Sequence, residues 1–132
     1  MNSFAIDTSA LAAMVFNEPE REAFAAQILS AKSVLISSAS VLESRMVVQS
    51  RKGQAGVLVL ADILKLPVFH CIAPTLADMD AAYHAFIRYG KGSGHPAQLN
   101  YGDLLSYALA KTRNLPLLYK GNDFTHTDLV LA

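Results

Sequence analysis

Several features of secreted and membrane proteins are missing from this chain of 132 residues. Its single cysteine, Cys71, rules out an intramolecular disulfide, and the apolar run around it predicts a buried, inert thiol. No basic segment followed by a long apolar stretch marks the N-terminus, so we expect no signal peptide. The longest apolar runs fall far short of the roughly 20 residues that span a bilayer. These absences predict a cytoplasmic protein.

An excess of either charge is also missing. Lys and Arg total 11, as do Asp and Glu, so the formal net charge is zero with His neutral. This balance gives no overall attraction to nucleic acid, and any basic track for phosphates must be local. Six basic side chains are candidates for such a track, although a solvated surface charge is the simpler interpretation of each: Arg45, Arg51, Lys52, Arg88, Lys91 and Lys120.

The motifs of several other site classes are absent. His95 and His126 do not stand at zinc-ligand spacing with Cys71 or with each other. No Gly-rich phosphate-binding loop follows the first apolar run. Residue 9 is Ser, which excludes the Asp-x-Asp of an aspartyl-phosphatase. The first run ends in the single acid Asp7, whereas a phosphate-receiver domain needs an acidic pair there, so a receiver-like phosphoacceptor is a weaker alternative.

Strand-like apolar runs alternate with helical patterns, which predicts one α/β domain, residues 1–132, with a central parallel sheet of four to five strands flanked by helices. The expected strands are Ser3–Asp7, Ser33–Ser37, Val68–Ile72 and Pro116–Tyr119, with Asp128–Leu131 as a possible short edge strand. The expected later helices are Ala39–Lys52, Gln54–Leu66, one from the Thr75 and Asp78 capping pattern to about Tyr89, and Leu99–Arg113.

Four acidic residues stand where a parallel sheet would gather them. Asp7 ends the first strand, Glu43 lies one turn into the helix after the second, Asp103 opens the helix from Leu99, and Asp123 follows the fourth strand. Ligands of open α/β sheets bind beyond the carboxyl ends of the strands. Clustered carboxylates repel one another unless a cation neutralises them, and oxygen ligands suit Mg²⁺ or Mn²⁺. The pattern therefore predicts a divalent-metal site.

Each of these acids also has a structural interpretation. Asp7 could cap the following helix, but Thr8 and Ser9 offer capping hydroxyls, which favours a ligand role for Asp7. Ser9 could equally cap that helix or orient a ligand carboxylate. Glu43 could complete a capping box with Ser40, and both alternatives stay open from local sequence.

The other two acids, Asp103 and Asp123, also have structural interpretations. Asp103 could complete a capping box with Asn100. Gly102 is a poor helix former, costing roughly 1 kcal/mol against Ala, which favours close approach of another group and a functional role. Asp123 could form only an Asx turn, and its value lies in being the fourth of a set.

The sequence segments around the four acids resemble those of the PIN-domain nucleases, in particular the VapC toxins of bacterial toxin–antitoxin pairs. The resemblance rests on four segments, in order over nearly the whole chain: Ile6–Leu11, Leu42–Glu43, Leu99–Asp103 and Tyr119–Asp128. It implies a PIN-like three-layer sandwich and places acids of the site at Asp7, Glu43, Asp103 and Asp123. The resemblance therefore favours the site over the capping box for Glu43. Asp128 is a rival for the fourth position.

The resemblance further implies an endoribonuclease that depends on Mg²⁺ or Mn²⁺, with Asp7 and Asp103 as central ligands and RNA as the substrate. It also implies a VapB-like antitoxin that presents a basic residue to the acids, and a homodimer. The apolar content of 52% and the helix pair from Val41 to Leu64 would supply the contact surfaces. The alternative function is a catalytically silent binding module whose acidic pocket docks a partner's arginine.

Overall fold

Nine helices and strands, in the order β-α-α-β-α-β-α-α-β, make up residues 2–132, the part of the chain that the computed structural model describes. They are β1 (Ser3–Ile6), α1 (Thr8–Val15), α2 (Arg21–Ser30), β2 (Ser33–Ser37), α3 (Ser38–Leu64), β3 (Phe69–Ile72), α4 (Leu76–Tyr89), α5 (Tyr101–Thr112) and β4 (Leu117–Leu118). No helix in this part of the chain has the length and apolar character needed to cross a membrane.

The four strands form one parallel sheet in the order β3-β2-β1-β4. Strand β1 is central, pairing Phe4 with Val34 on one side and Ile6 with Leu118 on the other. The chain order reverses between β1 and β4, and such a switch point opens a crevice at the carboxyl ends of the strands. The predicted parallel sheet is confirmed.

Alternating side chains of the strands pack into two hydrophobic cores, one on each face of the sheet. Phe4, Ile6 and Leu118 pack into a core with α1, α2 and α3. Ala5 and Leu117 face the opposite core, which α4 and α5 cover. Because neighbouring strand residues point to opposite faces, strands buried on both sides read as continuous apolar runs. The result is the predicted three-layer arrangement.

Two differences from the sequence expectations lie at the edges of the sheet. The expectation that Cys71 is buried is wrong: the thiol is exposed, because β3 is an outer strand whose side chains are only partly covered. The C-terminal tail forms no regular strand and meets β4 through one parallel bridge between Leu131 and Leu117. Apolar character alone does not distinguish an edge strand from a central one.

The predicted break at Gly53 is present inside α3. The residue has φ 63° and ψ −159°, so two helical segments meet there at a kink. Only Gly adopts such a positive φ without a steric penalty. The first of these segments begins at the end of β2 and carries Glu43.

Candidate active site

Asp7 lies directly beyond β1 and is held on both of its carboxylate oxygens. Oδ2 accepts hydrogen bonds from the backbone N–H of Ser9 (3.0 Å) and from the Ser9 hydroxyl (2.7 Å), while Oδ1 accepts one from the Ser106 hydroxyl (2.5 Å). Asp7 is also the N-cap of α1, so the capping role and the position at the sheet mouth coexist. The Ser9 hydroxyl accepts from the backbone N–H of Lys120, which ties this acid to the end of β4.

Asp103 is buried in the first turn of α5. The capping box with Asn100 is formed: Asn100 N–H donates to Asp103 Oδ2 (3.0 Å), and Asp103 N–H donates to Asn100 Oδ1 (2.9 Å). The pKa of the Asp103 carboxyl is raised to about 7, chiefly by burial. The hydrogen bond from Asn100 opposes this rise, and the negative charges of the other three acids add to it: Asp7, Asp123 and Glu43. Asp103 therefore stands within electrostatic range of all three.

Glu43 lies between α1 and α5. Its Oε1 accepts a hydrogen bond from the Thr8 hydroxyl (2.7 Å). The capping box with Ser40 is not formed, because α3 begins at Ser38 with Ser37 as its N-cap. A Cβ atom at Gly102 would overlap the Glu43 carboxyl, so the Gly allows this side chain to rest on the first turn of α5.

Asp123 is exposed in the turn after β4, and the buried ring of Phe124 next to it anchors that turn in the core. Burying a Phe ring contributes on the order of 2–3 kcal/mol. Its rival Asp128 is engaged elsewhere: the Tyr107 hydroxyl and the Lys111 ammonium each donate to it at 2.7 Å. Asp123, but not Asp128, is among the acids whose charges raise the pKa of Asp103.

Within residues 2–132, no cation forms an ion pair with the acidic cluster, the four carboxylates of Asp7, Glu43, Asp103 and Asp123. The ion pairs found in residues 2–132 involve Asp78, Asp128, Glu18 and Glu20, and none includes a member of the cluster. In the same part of the chain, no three His, Cys, Asp or Glu side chains already stand close enough together to hold a metal ion. Repulsion between like charges favours such separation. The donor set itself, four carboxylates, suits a hard divalent cation.

An open apolar groove borders the cluster. It has a volume of about 640 Å³ and runs between α3 and α5, with Glu43 and Gly102 at its margin. Three of its lining side chains are largely exposed: Leu42, Met46 and Tyr101. The sequence predicted an apolar contact surface on the helix pair from Val41 to Leu64, the two segments of α3. The groove shows that it is shared with α5.

Three of the six candidate phosphate-contacting cations have intramolecular partners. The Lys120 ammonium lies 3.0 Å from Glu18 and 3.4 Å from Glu20. The guanidinium groups of Arg51 and Arg88 stack over Phe16 and Tyr89, with centroid distances of 3.8 and 4.8 Å. These contacts agree with the simpler interpretation of these three residues as surface charges.

Two hydroxyls that contact the acids were missed by sequence reasoning. Thr8 holds Glu43 and Ser106 holds Asp7. The available signal for Ser106 was its position one helical turn after Asp103, which places both on the same face of α5. The sequence indicates only a capping role for Thr8, and Asp7 fills that role.

The chain matches a protein family and is similar in sequence to known proteins. A family model described as PIN domain matches residues 4–129. The chain is 45% identical over 124 residues to ribonuclease VapC30 of Mycobacterium tuberculosis, covering 94% of each protein. It is 43% identical over 124 residues to ribonuclease VapC of Mycolicibacterium smegmatis, covering 94% of this chain and 95% of the relative.

Solved structures share the fold at low sequence identity. VapC20 of Mycobacterium tuberculosis, described as a sarcin-ricin loop cleaving toxin, superposes with a TM-score of 0.80 at 17% identity, covering 98% of both chains. VapBC2 from Rickettsia felis, bound to a DNA fragment from its promoter, gives a TM-score of 0.75 at 16% identity, covering 98% of this chain and 97% of the other. These likenesses establish the three-layer fold.

Proposed function

Since this chain belongs to the PIN domain family, we propose that it is a divalent-metal-dependent endoribonuclease and the toxin of a VapBC-like toxin–antitoxin pair. One observation carries the proposal: the start of α5 brings together acids from separate segments of the chain. The Glu43 carboxyl rests on Gly102, next to Asp103, and one turn later Ser106 binds Asp7. Relatives that are 43–45% identical bear the name ribonuclease. We take residues 1–132 as one such domain.

Asp7, Glu43, Asp103 and Asp123 would hold Mg²⁺ or Mn²⁺, since their oxygens suit hard cations and no cation of the described chain neutralises them. The ion would supply Lewis acidity to the scissile phosphate and to the attacking water. We assign the fourth position to Asp123 because Asp128 is already bound by Tyr107 and Lys111.

The residues of the chain prepare this site in distinct ways. Ser9 and Ser106 fix the orientation of Asp7, and Thr8 fixes Glu43 against α5. The pKa of Asp103 is raised to about 7, so in the absence of metal this carboxyl is protonated at lower pH. Because metal ligands must be deprotonated, metal binding would displace this proton and weaken as the pH falls below 7.

The partner would be a VapB-like antitoxin that lays an apolar segment in the groove of Leu42, Met46 and Tyr101 and directs an arginine to the acids. A planar guanidinium pairs well with carboxylates. A chain of the solved VapBC2 structure from Rickettsia felis shares the fold of this protein. A homodimer and a cytoplasmic location, where RNA and antitoxin meet the toxin, belong to the same proposal.

The test is cleavage of RNA with Mg²⁺ or Mn²⁺ by the purified chain, with RNA ends mapped by sequencing. Asp7→Asn and Asp103→Asn should each lower the rate at least about 100-fold, because changes to outer-shell partners alone cost 10–100-fold. Asp128→Asn is the matched control and should cleave normally. Cleavage at the wild-type rate by both Asp7→Asn and Asp103→Asn would contradict the proposed site. Metal binding by the wild type with no cleavage of any RNA pool would indicate the silent binding module instead.

A further inference from the structure

Ser106 makes a contact that the acidic pattern of the sequence does not include. Its side chain is fully buried on α5, one turn after Asp103, and its hydroxyl donates to Asp7 Oδ1 at 2.5 Å. The two residues lie 99 positions apart in the chain. The contact thus joins the helix that carries Asp103 to the acid that follows β1.

We propose that Ser106 is a positioning residue for the divalent ion: its hydroxyl fixes the Asp7 carboxylate relative to Asp103 and thereby sets the metal affinity. This inference rests on the proposed function, since it concerns the same acids. It goes further by assigning part of the metal affinity to a residue that holds no negative charge and does not touch the ion.

The lone pairs of Asp7 show why this hydroxyl matters. A carboxylate offers about four acceptor positions, two on each oxygen. Oδ2 accepts two hydrogen bonds, both from Ser9, whereas Oδ1 accepts one, from Ser106. Oδ1 therefore retains the free acceptor position, and the Ser106 bond decides where that position points. Outer-shell groups act on metal sites in this way.

The surroundings of Ser106 fix the direction of its hydroxyl. The Ser40 and Ser106 hydroxyl oxygens lie 3.4 Å apart, and either could be the donor. The one proton of Ser106 is directed to Asp7, so Ser40 is the donor in this pair. Because Ser106 is fully buried, no bulk water replaces the contact once the hydroxyl is removed.

The experiment measures Mn²⁺ binding by isothermal titration calorimetry on the full chain, with thermal unfolding of the metal-free protein in parallel. Ser106→Ala should weaken Mn²⁺ binding roughly 10- to 100-fold. Ser44→Ala is the matched control, because this fully buried serine on α3 donates only to the Ser40 carbonyl (2.6 Å). It should lower the unfolding temperature while leaving the Mn²⁺ affinity unchanged. RNA cleavage by Ser106→Ala should recover when Mn²⁺ is raised by the same factor.

The outcomes separate the two proposals. A wild-type chain that binds neither Mn²⁺ nor Mg²⁺ contradicts the proposed function itself. A wild type that binds Mn²⁺ and a folded Ser106→Ala that binds it equally well contradict only the role of Ser106. If Ser106→Ala fails to fold, Ser106→Cys keeps the shape with a weaker donor and should still bind Mn²⁺ less tightly than the wild type. Equal affinity in that variant would overturn the inference.

Discussion

The absence of a side chain at Gly102 leaves the space that the Glu43 carboxyl occupies. Glu43 reaches this place from another helix and is fixed there by the Thr8 hydroxyl. At the scale of single residues, small and hydroxyl-bearing side chains thus set the positions of the acids. The glycine weakens the first turn of α5 but leaves the room that this carboxylate needs.

Replacing Gly102 with Ala should therefore separate stability from function. The group that a new Cβ would meet is the far end of a flexible side chain, so the fold can adjust by moving Glu43. Ala is the better helix former by roughly 1 kcal/mol, which offsets the cost of this shift. We expect an unfolding temperature close to that of the wild type. RNA cleavage should be at least about 10-fold slower, since a displaced metal ligand costs no less than a lost outer-shell group. Thermal unfolding and cleavage rates measure the two effects.

The control places the same change in a Glu43→Ala background, where no carboxyl competes for the space. Gly102→Ala should then raise the unfolding temperature and change the residual cleavage rate little. A fall in stability of similar size in both backgrounds would show that the overlap with Glu43 is not the reason for the glycine.

Helices α4 and α5 are joined by a buried ion pair between Asp78 and Arg113 at 3.0 Å. Although burial acts to raise it, hydrogen bonds from Arg113, the Thr75 backbone and the Thr112 hydroxyl lower the pKa of Asp78 to about 2. Its stabilising effect is complete above the unfolded-state pKa near 4 and is lost as the pH falls toward 2. Helices α4 and α5 cover one face of the sheet, and α5 carries Asp103.

Arg113→Ala should destabilise the protein by roughly 2–4 kcal/mol, because it leaves a buried carboxylate without its cation. Lys111→Ala is the comparison on the same helix. Its 2.7 Å pair with Asp128 is about half exposed at the lysine, so the loss should stay below about 1 kcal/mol. Urea unfolding at pH 7 measures both. Similar losses in the two variants would show that burial does not distinguish these pairs.

At the scale of the whole molecule, the fold concentrates negative charge at the switch point of the sheet. Burial, together with the charges of Asp7, Asp123 and Glu43, raises the pKa of Asp103 to about 7. The folded chain therefore binds a proton more tightly than the unfolded chain between about pH 4 and pH 7. In this window the free energy of unfolding falls as the pH rises, so the site is assembled at a cost to stability.

Asp103→Asn mimics the protonated acid and removes this pH dependence. Without metal, the variant and the wild type should unfold at similar temperatures at pH 5, and the variant should be the more stable by several degrees at pH 8. Calorimetric scans at both pH values measure the difference. Mg²⁺ should raise the unfolding temperature of the wild type more at pH 8 than at pH 5, because the proton no longer competes. An equal difference between the variant and the wild type at both pH values would contradict the raised pKa.

The sequence by itself determined the alternation of strands and helices, the break at Gly53 and the placement of four acids at strand ends and first turns. These features depend on neighbours a few residues apart: apolar runs, capping patterns and glycines. The matched PIN domain and the parallel sheet confirm the fold expected from them. The roles of the four acids stay predictions, as do the metal and the partner.

Only the tertiary structure decided which side chains meet across the fold. Ser106 contacts Asp7 across 99 positions, Thr8 contacts Glu43 across 35, and Asp128 is bound by Tyr107 across 21. The exposure of Cys71 likewise depends on the place of its strand at the edge of the sheet. The physical reason is that a hydrogen bond or a burial state is set by whatever packs beside a residue, and packing joins segments that carry no local sign of each other.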